Sequence, residues 1–224
     1  MAELTWGAPT NRVFETGVSK GVLYIPDAVT GDYDNGVAWN GLTAVTESPT
    51  GAESTPQYAD NIKYLNLTSA EEFGATIEAF TYPDEFLEFD GAAAVEPGVV
   101  IGQQNRRMFG LSYQTRVGNA VAGTDLGYKI HLIYGAQAAP SERAYATINE
   151  TPEAITFSWE LTTTPVAVGT VGSVEYKPTA SLTIDSTKAD ATALATLEGM
   201  LYGSGSTEPE LPLPADVIAL FTAP

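Results

Sequence analysis

Apolar and polar residues alternate with a period of two along much of this chain. In residues 155–161, Ile155 and every second residue after it are apolar and the residues between them are polar, as in a strand with one buried face. Similar strand-like segments occur at 109–117, 130–134, 180–184 and 77–82. Their spacing predicts about nine strands in two packed β-sheets, in a sandwich or barrel.

Turn-forming and loop-forming residues separate these predicted strands. The cluster Asp32-Tyr33-Asp34-Asn35-Gly36 separates strand-like pieces at 23–25 and 37–45, and Asx residues before a glycine are typical of a tight turn. Residues 118–127 predict a hairpin connection. Residues 47–60 predict a long polar loop with two prolines, and a loop of that length is usually functional or mobile.

One helix is predicted at about 188–202. Leu194, Leu197 and Leu201 lie on one face of it, Ser186 or Thr187 can cap its start, and Gly203 can end it. A capping-box pattern at 69–72 predicts a further turn of helix.

The chain therefore divides into three predicted parts. Residues 1–20 form an N-terminal arm and residues 21–203 a β domain. Residues 204–224 contain four prolines and form an extended C-terminal arm. The apolar residues in 217–221 need a surface to bury against, in this subunit or in another.

Composition narrows the functional classes. The chain has 28 acidic and 10 basic residues, a formal charge of −18, which argues against a protein that grips nucleic-acid phosphates. Such a charge favours solubility, or a surface that stays near nucleic acid without sticking to it. The absence of cysteine excludes disulfides and thiol chemistry. We expect no secretory signal after Met1 and no transmembrane helix.

The candidates for chemistry are few. His131, the only histidine, lies on the polar face of a strand and is interpreted as a surface residue, because no partner motif for catalysis accompanies it. The 32–36 cluster could start a calcium loop, but position twelve is Thr43 where an EF-hand has Glu. Four acids around Phe86 predict a solvated or lumen-facing edge; they are Asp84, Glu85, Glu88 and Asp90.

No nucleotide-binding loop or hydrolase motif occurs in the chain. We therefore predict no enzyme, no cofactor, and no catalytic, cofactor-binding or metal-binding residue. The three tryptophans are interpreted as core or interface anchors, with Trp159 in the core and Trp39 in either place. Trp6 is left as either core or interface.

The order of segments resembles siphophage major tail proteins, the subunits of the tail tube. The resemblance starts in the stretch Gly21–Leu65, with the order GVAWNGL, an acidic loop and KYLNL. It continues through residues 69–91, FGLSYQTRVGN, GTDLGYKIHLIYGA, residues 144–166 and KPTASLTIDSTKAD to LPLPADVIALF near the C-terminus. It covers nearly the whole chain, and it depends on length and order because the pattern contains no chemistry motif.

The resemblance implies a tail-tube fold of two β-sheets with a flanking helix. It implies a virion protein, made in the host cytoplasm, whose hexameric rings join into a β-barrel and stack into a tube that conducts DNA. A tape measure protein and tail terminator or distal tail proteins are the implied partners, with no membrane. A β-sandwich binding module, such as a capsid decoration or adhesin domain, is the alternative from a different class.

Overall fold

The computed structural model describes residues 6–148 and 150–222. The protein is mainly β, with 50% strand and 13% helix, which confirms the predicted fold class. The strands are β1 (Val13–Pro26), β2 (Tyr33–Trp39), β3 (Leu42–Glu47), β4 (Thr50–Gly51), β5 (Ser54–Ala59), β6 (Ile62–Thr68), β7 (Glu71–Glu72), β8 (Gly74–Ala79), β9 (Ala93–Glu96), β10 (Val99–Ile101), β11 (Phe109–Asn119), β12 (Gly123–Ala138), β13 (Phe157–Thr163), β14 (Gly169–Val171), β15 (Val174–Tyr176) and β16 (Ser181–Asp185). The helices are α1 (Ala191–Tyr202) and α2 (Pro214–Thr222), with 3₁₀ turns at Pro9–Asn11 and Asp84–Glu88.

Eight strands form one antiparallel sheet in the order β2-β1-β11-β12-β13-β8-β3, and β16 also pairs with β12. The long strand β12 joins two halves of this sheet, because Lys129–Ile133 pair with β16 and Ala136–Ala138 pair with β13. Both predicted layers therefore belong to a single bent sheet. In the described part of the chain no ladder joins β2 to β3, so the sheet is not a closed barrel.

The first core lies between the two halves of the bent sheet. Trp39 from β2 packs edge-on against Trp159 from β13, with ring centroids 5.7 Å apart. The turn Asp84–Glu88 inserts Phe86 between them, 4.5 Å from Trp39 and 5.1 Å from Trp159. Trp159 is fully buried, which confirms its predicted core position, and Trp39 is also core.

The second core lies on the opposite face of β1, β11, β12 and β16, under the two helices. Helix α1 buries Leu194, Leu197 and Leu201, as the sequence predicts. Its N-cap is Asp190, whose carboxylate accepts hydrogen bonds from the N–H groups of residues 192 and 193, rather than Ser186 or Thr187. Gly203 ends the helix with φ of 74°, as predicted.

The two predicted arms are largely part of the subunit. Residues 13–20 belong to β1, and residues 1–5 of the N-terminal arm lie outside the described residues. The C-terminal segment is extended only up to residue 213 and then forms α2. Leu211 and Val217 are buried in the second core, so the prediction of an extended arm that adds little to the core is wrong.

Three local predictions are also wrong. The 32–36 cluster begins β2 instead of forming a turn: Asn35, at φ of 54°, is the extra residue of a bulge between the pairs Ile25–Asp34 and Tyr24–Gly36. The predicted strand 37–45 is broken into β2 and β3 at Asn40 and Gly41. The 69–72 segment contains the short strand β7 rather than a turn of helix.

The predicted polar loop at 47–60 is the first arm of a long hairpin. Strand β4 pairs with β7 and β5 pairs with β6. The turn residues Asp60 and Asn61 both have positive φ, as two-residue hairpin turns of type I′ require. Every residue from 47 to 72 is exposed, so the hairpin projects from the subunit. We call residues 48–73 the projecting hairpin.

Candidate interaction surfaces

Besides the outer edges of the end strands β2 and β3, the main sheet has two edges without a partner strand within the described residues. Strand β16 pairs only with β12. The N–H of Tyr134 donates to the carbonyl of Ala180, and the N–H of Ser186 donates to the carbonyl of Tyr128. The backbone groups of even-numbered residues of β16 therefore point to β12, and those of Ser181, Thr183 and Asp185 point outward, because hydrogen-bonded pairs alternate along an antiparallel ladder. Thr179 already bonds both backbone groups of Ser181, and the carbonyl of Asp185 accepts from the N–H groups of residues 188 and 189. The open positions of this edge are therefore the N–H and C=O of Thr183 and the N–H of Asp185.

The second free edge is the first half of β1. Strand β2 pairs with β1 only from Gly21 onward, so residues 13–20 have β11 on one side and no described strand on the other. Register shifts occur on both sides of Ser19, and Lys20 has φ of 50°. Such bulges increase the local twist and often occur at sheet edges. The four strands β1, β11, β12 and β16 thus form a unit with two open edges.

One face of this four-stranded unit carries the second core, and the other face is polar near its free edges. We call the latter the polar face, and define it by Glu15, Thr115, Lys129, His131, Thr183 and Asp185, with Glu47 reaching over from β3. Glu15 accepts from Thr115 at 2.6 Å and pairs with Lys129. With His131 neutral, three carboxylates and one ammonium give this face a formal charge of −2 (−3 + 1).

His131 is the centre of the polar face and is half-buried, with 13% of its side chain exposed. Its ring stacks on Tyr113 with centroids 4.6 Å apart. Nε2 lies 3.0 Å from Thr115 Oγ1 and 3.4 Å from Glu15, and Nδ1 lies 3.5 Å from Glu47. The prediction of an ordinary surface histidine is therefore wrong.

Burial and carboxylates act in opposite directions on the proton affinity of His131. Desolvation lowers the pKa of His131 below its ordinary value, although Glu47 and Glu15 both act to raise it. Tyr113 donates to Glu47 at 2.7 Å, and burial followed by this carboxylate raises the pKa of Tyr113. For Glu15, desolvation acts to raise the pKa, but the hydrogen bonds from Lys129 and Thr115 together with nearby positive charge leave the pKa below its ordinary value.

The projecting hairpin exposes large apolar side chains. They are Tyr58, Ile62, Tyr64, Leu65 and Leu67. Nothing else in the described chain covers these residues, and an isolated two-stranded hairpin is only marginally stable in water. Ile62, Leu65 and Leu67 pair with Ala59, Gln57 and Thr55, so they share one face of the hairpin, whereas Tyr58 lies on the other face. An exposed apolar face of this kind is typical of a protein–protein contact. The hairpin is therefore more apolar than the predicted polar loop.

The predicted acidic edge around Phe86 is partly buried. Asp90 is 8% exposed and accepts from Trp159 Nε1 at 3.1 Å. Arg106 lies 3.3 Å from it, and Arg143 forms a second ion pair with it. These contacts join the Asp84–Glu88 turn to the segments that follow β10 and β12, so Asp90 has a structural role here.

Glu88 is also paired, at 2.8 Å from Arg107, whereas Asp84 and Glu85 are exposed. Trp6 is 83% exposed, so within the described residues it is not a core anchor. The part of the chain that the structure describes contains no group of three or more His, Asp or Glu side chains placed to hold a metal ion. None of the helices in that part is long and apolar enough to cross a membrane.

Two comparisons of this sequence with known proteins found no relative. A scan of the chain against models of protein families gave no match. A search among curated proteins found no similar sequence. The functional interpretation therefore depends on the surfaces described above and on the order of segments in the sequence.

Proposed function

We propose that this chain is the structural subunit of a bacteriophage tail tube. Six copies form a ring, rings stack into a tube, and DNA passes through the lumen from virion to host. The observation that carries the proposal is the four-stranded unit with two unpaired edges, one face packed under helices and the other polar. The resemblance of the sequence to siphophage tail proteins points to the same assembly.

The strand directions are compatible with a closed ring. Strands β1 and β12 run one way and β11 and β16 the other, because each neighbouring pair is antiparallel. When copies stand side by side in one orientation, β16 of one copy lies beside β1 of the next and the new junction is antiparallel. Six copies give a barrel of 24 strands (6 × 4), and a closed barrel has no free edges.

The helices then lie on the outside of the barrel and the polar face lines the lumen. The formal charge of a hexamer is −108 (6 × −18). A lumen with more acidic than basic groups repels DNA, because DNA is itself a dense anion. The repulsion acts only at close range, since the Debye length at physiological salt is about 8 Å. The polar face keeps a net negative formal charge even when Lys188, which pairs with Asp185 at 3.1 Å, is counted (−3 + 2 = −1), and this supports the arrangement.

The projecting hairpin is the proposed contact between stacked rings. Its exposed Ile62, Leu65 and Leu67, which share one face, would bury apolar surface against the neighbouring ring. We expect the hairpin to be mobile in the free subunit and ordered in the tube. Six hairpins per ring interface make individually weak contacts sufficient through multivalency.

Backbone pairing at the β16 edge gives the sharpest test. The variant Thr183→Pro removes an N–H that points outward, so it breaks no bond to β12 and removes one bond to the next copy. Thr183→Val is the matched control, because it removes the same hydroxyl and keeps the N–H. We expect negative-stain images of Thr183→Val at high concentration to show rings or tubes.

The Thr183→Pro variant should remain folded, with a cooperative melt, and should form neither rings nor tubes. Tubes of normal length from a folded Thr183→Pro variant would contradict pairing at this edge. A parent protein that stays monomeric at all concentrations and binds glycans would favour the binding-module alternative.

A further inference from the structure

The polar face contains a proton-sensitive contact that links three parts of the fold. His131 of β12 stacks on Tyr113 of β11 and lies within 3.5 Å of a carboxylate on each side. Glu15 belongs to the free half of β1, and Glu47 ends β3 at the root of the projecting hairpin. A single titratable ring therefore lies between the sheet and the hairpin.

The hydrogen-bond donors fix the tautomer of the neutral ring. Thr115 donates its hydroxyl proton to Glu15 at 2.6 Å, so its oxygen must accept from His131 Nε2–H at 3.0 Å. In neutral His131, Nδ1 then has no proton and accepts from Thr183 Oγ1 at 3.4 Å. The lone pair of Nδ1 and the Oε1 of Glu47, 3.5 Å apart, are two acceptors with no proton between them.

Protonation of His131 changes this contact. The second proton of an imidazolium is on Nδ1, so the ring gains a donor that faces Glu47 and a positive charge between two carboxylates. Glu47 already accepts from the Tyr113 hydroxyl at 2.7 Å, and it would hold a second, charge-assisted bond. Glu15 stays bound to Lys129 and Thr115 in both states, so the state-dependent partner is Glu47.

We propose that His131 is a proton-operated latch that fixes the root of the projecting hairpin to the sheet when its ring is charged. In the neutral state Glu47 is held by Tyr113 alone, and the hairpin root opens more readily. In the charged state the His131–Glu47 ion pair is added and the root is held more tightly. The latch is a property of the subunit and does not depend on the proposed tube function.

Protonation of His131 changes the stability of the whole fold and the docking of Glu47 in opposite directions. The pKa of His131 is lowered by burial, so the folded state binds its proton less tightly than the unfolded chain does. Global stability therefore falls as the pH drops from about 6.5 through the folded pKa. Within the folded state, however, protonation favours conformations in which Glu47 is docked, since that carboxylate raises the proton affinity.

Because His131 is the only histidine, its ring signals in a proton NMR titration are unambiguous. Glu47→Gln is expected to shift its pKa further down, since the variant keeps the size of the side chain and removes the charge. Glu53→Gln, on an exposed residue further along the hairpin, is the matched control and should leave it unchanged. An unchanged or raised pKa in Glu47→Gln would overturn the latch.

A second measurement needs no variant. The N–H of Ser48 donates to the carbonyl of Gly74 at 2.8 Å and reports opening of the hairpin root, and the N–H of Tyr134 reports the central sheet. Both protection factors are measured between about pH 5 and 8 and corrected for intrinsic exchange. As long as Ser48 is less protected than Tyr134, exchange at Ser48 reports local opening of the hairpin root and not global unfolding. Protection of Ser48 itself should rise as the pH falls, whereas protection of Tyr134 should fall with the global stability.

The linkage relation sets the size of the rise. Linkage requires that the fold-increase in docking on protonation equals the ratio of the proton affinities of His131 with Glu47 docked and undocked. The fold-loss of proton affinity in Glu47→Gln gives the approximate size of this ratio, and the pH dependence should be absent in His131→Gln. Ser48 protection that stays constant or falls with decreasing pH in the parent protein, while it remains below that of Tyr134, would overturn the latch, whether or not the subunit forms tubes.

Discussion

Replacing Leu211 by Ala tests whether the C-terminal segment is part of the subunit core. Leu211 is 2% exposed, and its N–H donates to the carbonyl of Tyr33 at 2.9 Å. Its Cδ2 atom lies only 2.6 Å from where a Cβ on Gly110 would be, so the side chain fills space that this glycine leaves in β11. The variant keeps the backbone bond and removes the packing.

The expected loss of stability in Leu211→Ala depends on how far the surrounding residues can move into the cavity that the variant leaves. Its walls include residues of the paired strands β1, β2 and β11, which are held in register. Buried Leu→Ala changes cost about 2–5 kcal/mol, and we expect about 3 kcal/mol here. For a chain of this size, that corresponds to a fall of about 6–12 °C in Tm.

The assay is thermal and urea unfolding of the free subunit at one fixed protein concentration, followed by circular dichroism. Ala219→Ser, on the exposed side of α2, is the control and should change stability by less than about 0.5 kcal/mol. Deletion of residues 204–224 should abolish the cooperative melt, because it also removes the acceptor of the buried Tyr134 hydroxyl at Pro212. The reasoning is wrong if Leu211→Ala melts with the control or the truncated chain still melts cooperatively.

Three further predictions concern the other surfaces. Asp90→Asn should lower the free energy of unfolding in urea by about 2–3 kcal/mol, because Trp159 keeps an acceptor but two arginines lose their carboxylate. The control Glu85→Gln changes an exposed residue and should leave stability unchanged, so equal stability of the two variants would contradict a structural role for Asp90. Replacing residues 52–69 by a short Gly-Ser turn should leave the melt of the free subunit unchanged and prevent stacking, and tubes of unchanged length and thermal stability would exclude the hairpin from ring contacts. The double variant Glu15→Lys/Asp185→Lys should make assembled tubes retain DNA at physiological salt, while the parent should not; retention by the parent would contradict a non-adhesive lumen.

The sequence predicts those elements whose signal is local. The alternation at 155–161 corresponds to β13, and the leucines at 194, 197 and 201 identify the buried face of α1. These patterns are enough to predict the element, because the face on which each side chain lies depends only on its position within that strand or helix. The mainly β class follows from the number of such segments.

Features that depend on distant partners were not predictable in this way. Residues 47–60 have the prolines and glycine of a loop, but the apolar segment Ile62–Thr68 pairs with them and makes a hairpin. The prolines of 209–214 do give an extended chain, but no local pattern shows whether residues 217–221 bury in the same subunit or in another. Glu15 and His131 come together through the register of β1, β11 and β12, and Glu47 reaches them from β3 only because the sheet bends over itself. The sequence signal was limited to a polar position on an alternating strand.

The central claim is that copies of this chain join edge to edge into rings that stack as a tube. Electron microscopy of the purified protein at high concentration tests it most directly, with image averaging along the axis. We predict sixfold rings whose wall is a continuous antiparallel barrel with β16 of each copy beside β1 of the next. Monomers at every concentration, or assemblies in which these two edges remain apart, would contradict the account.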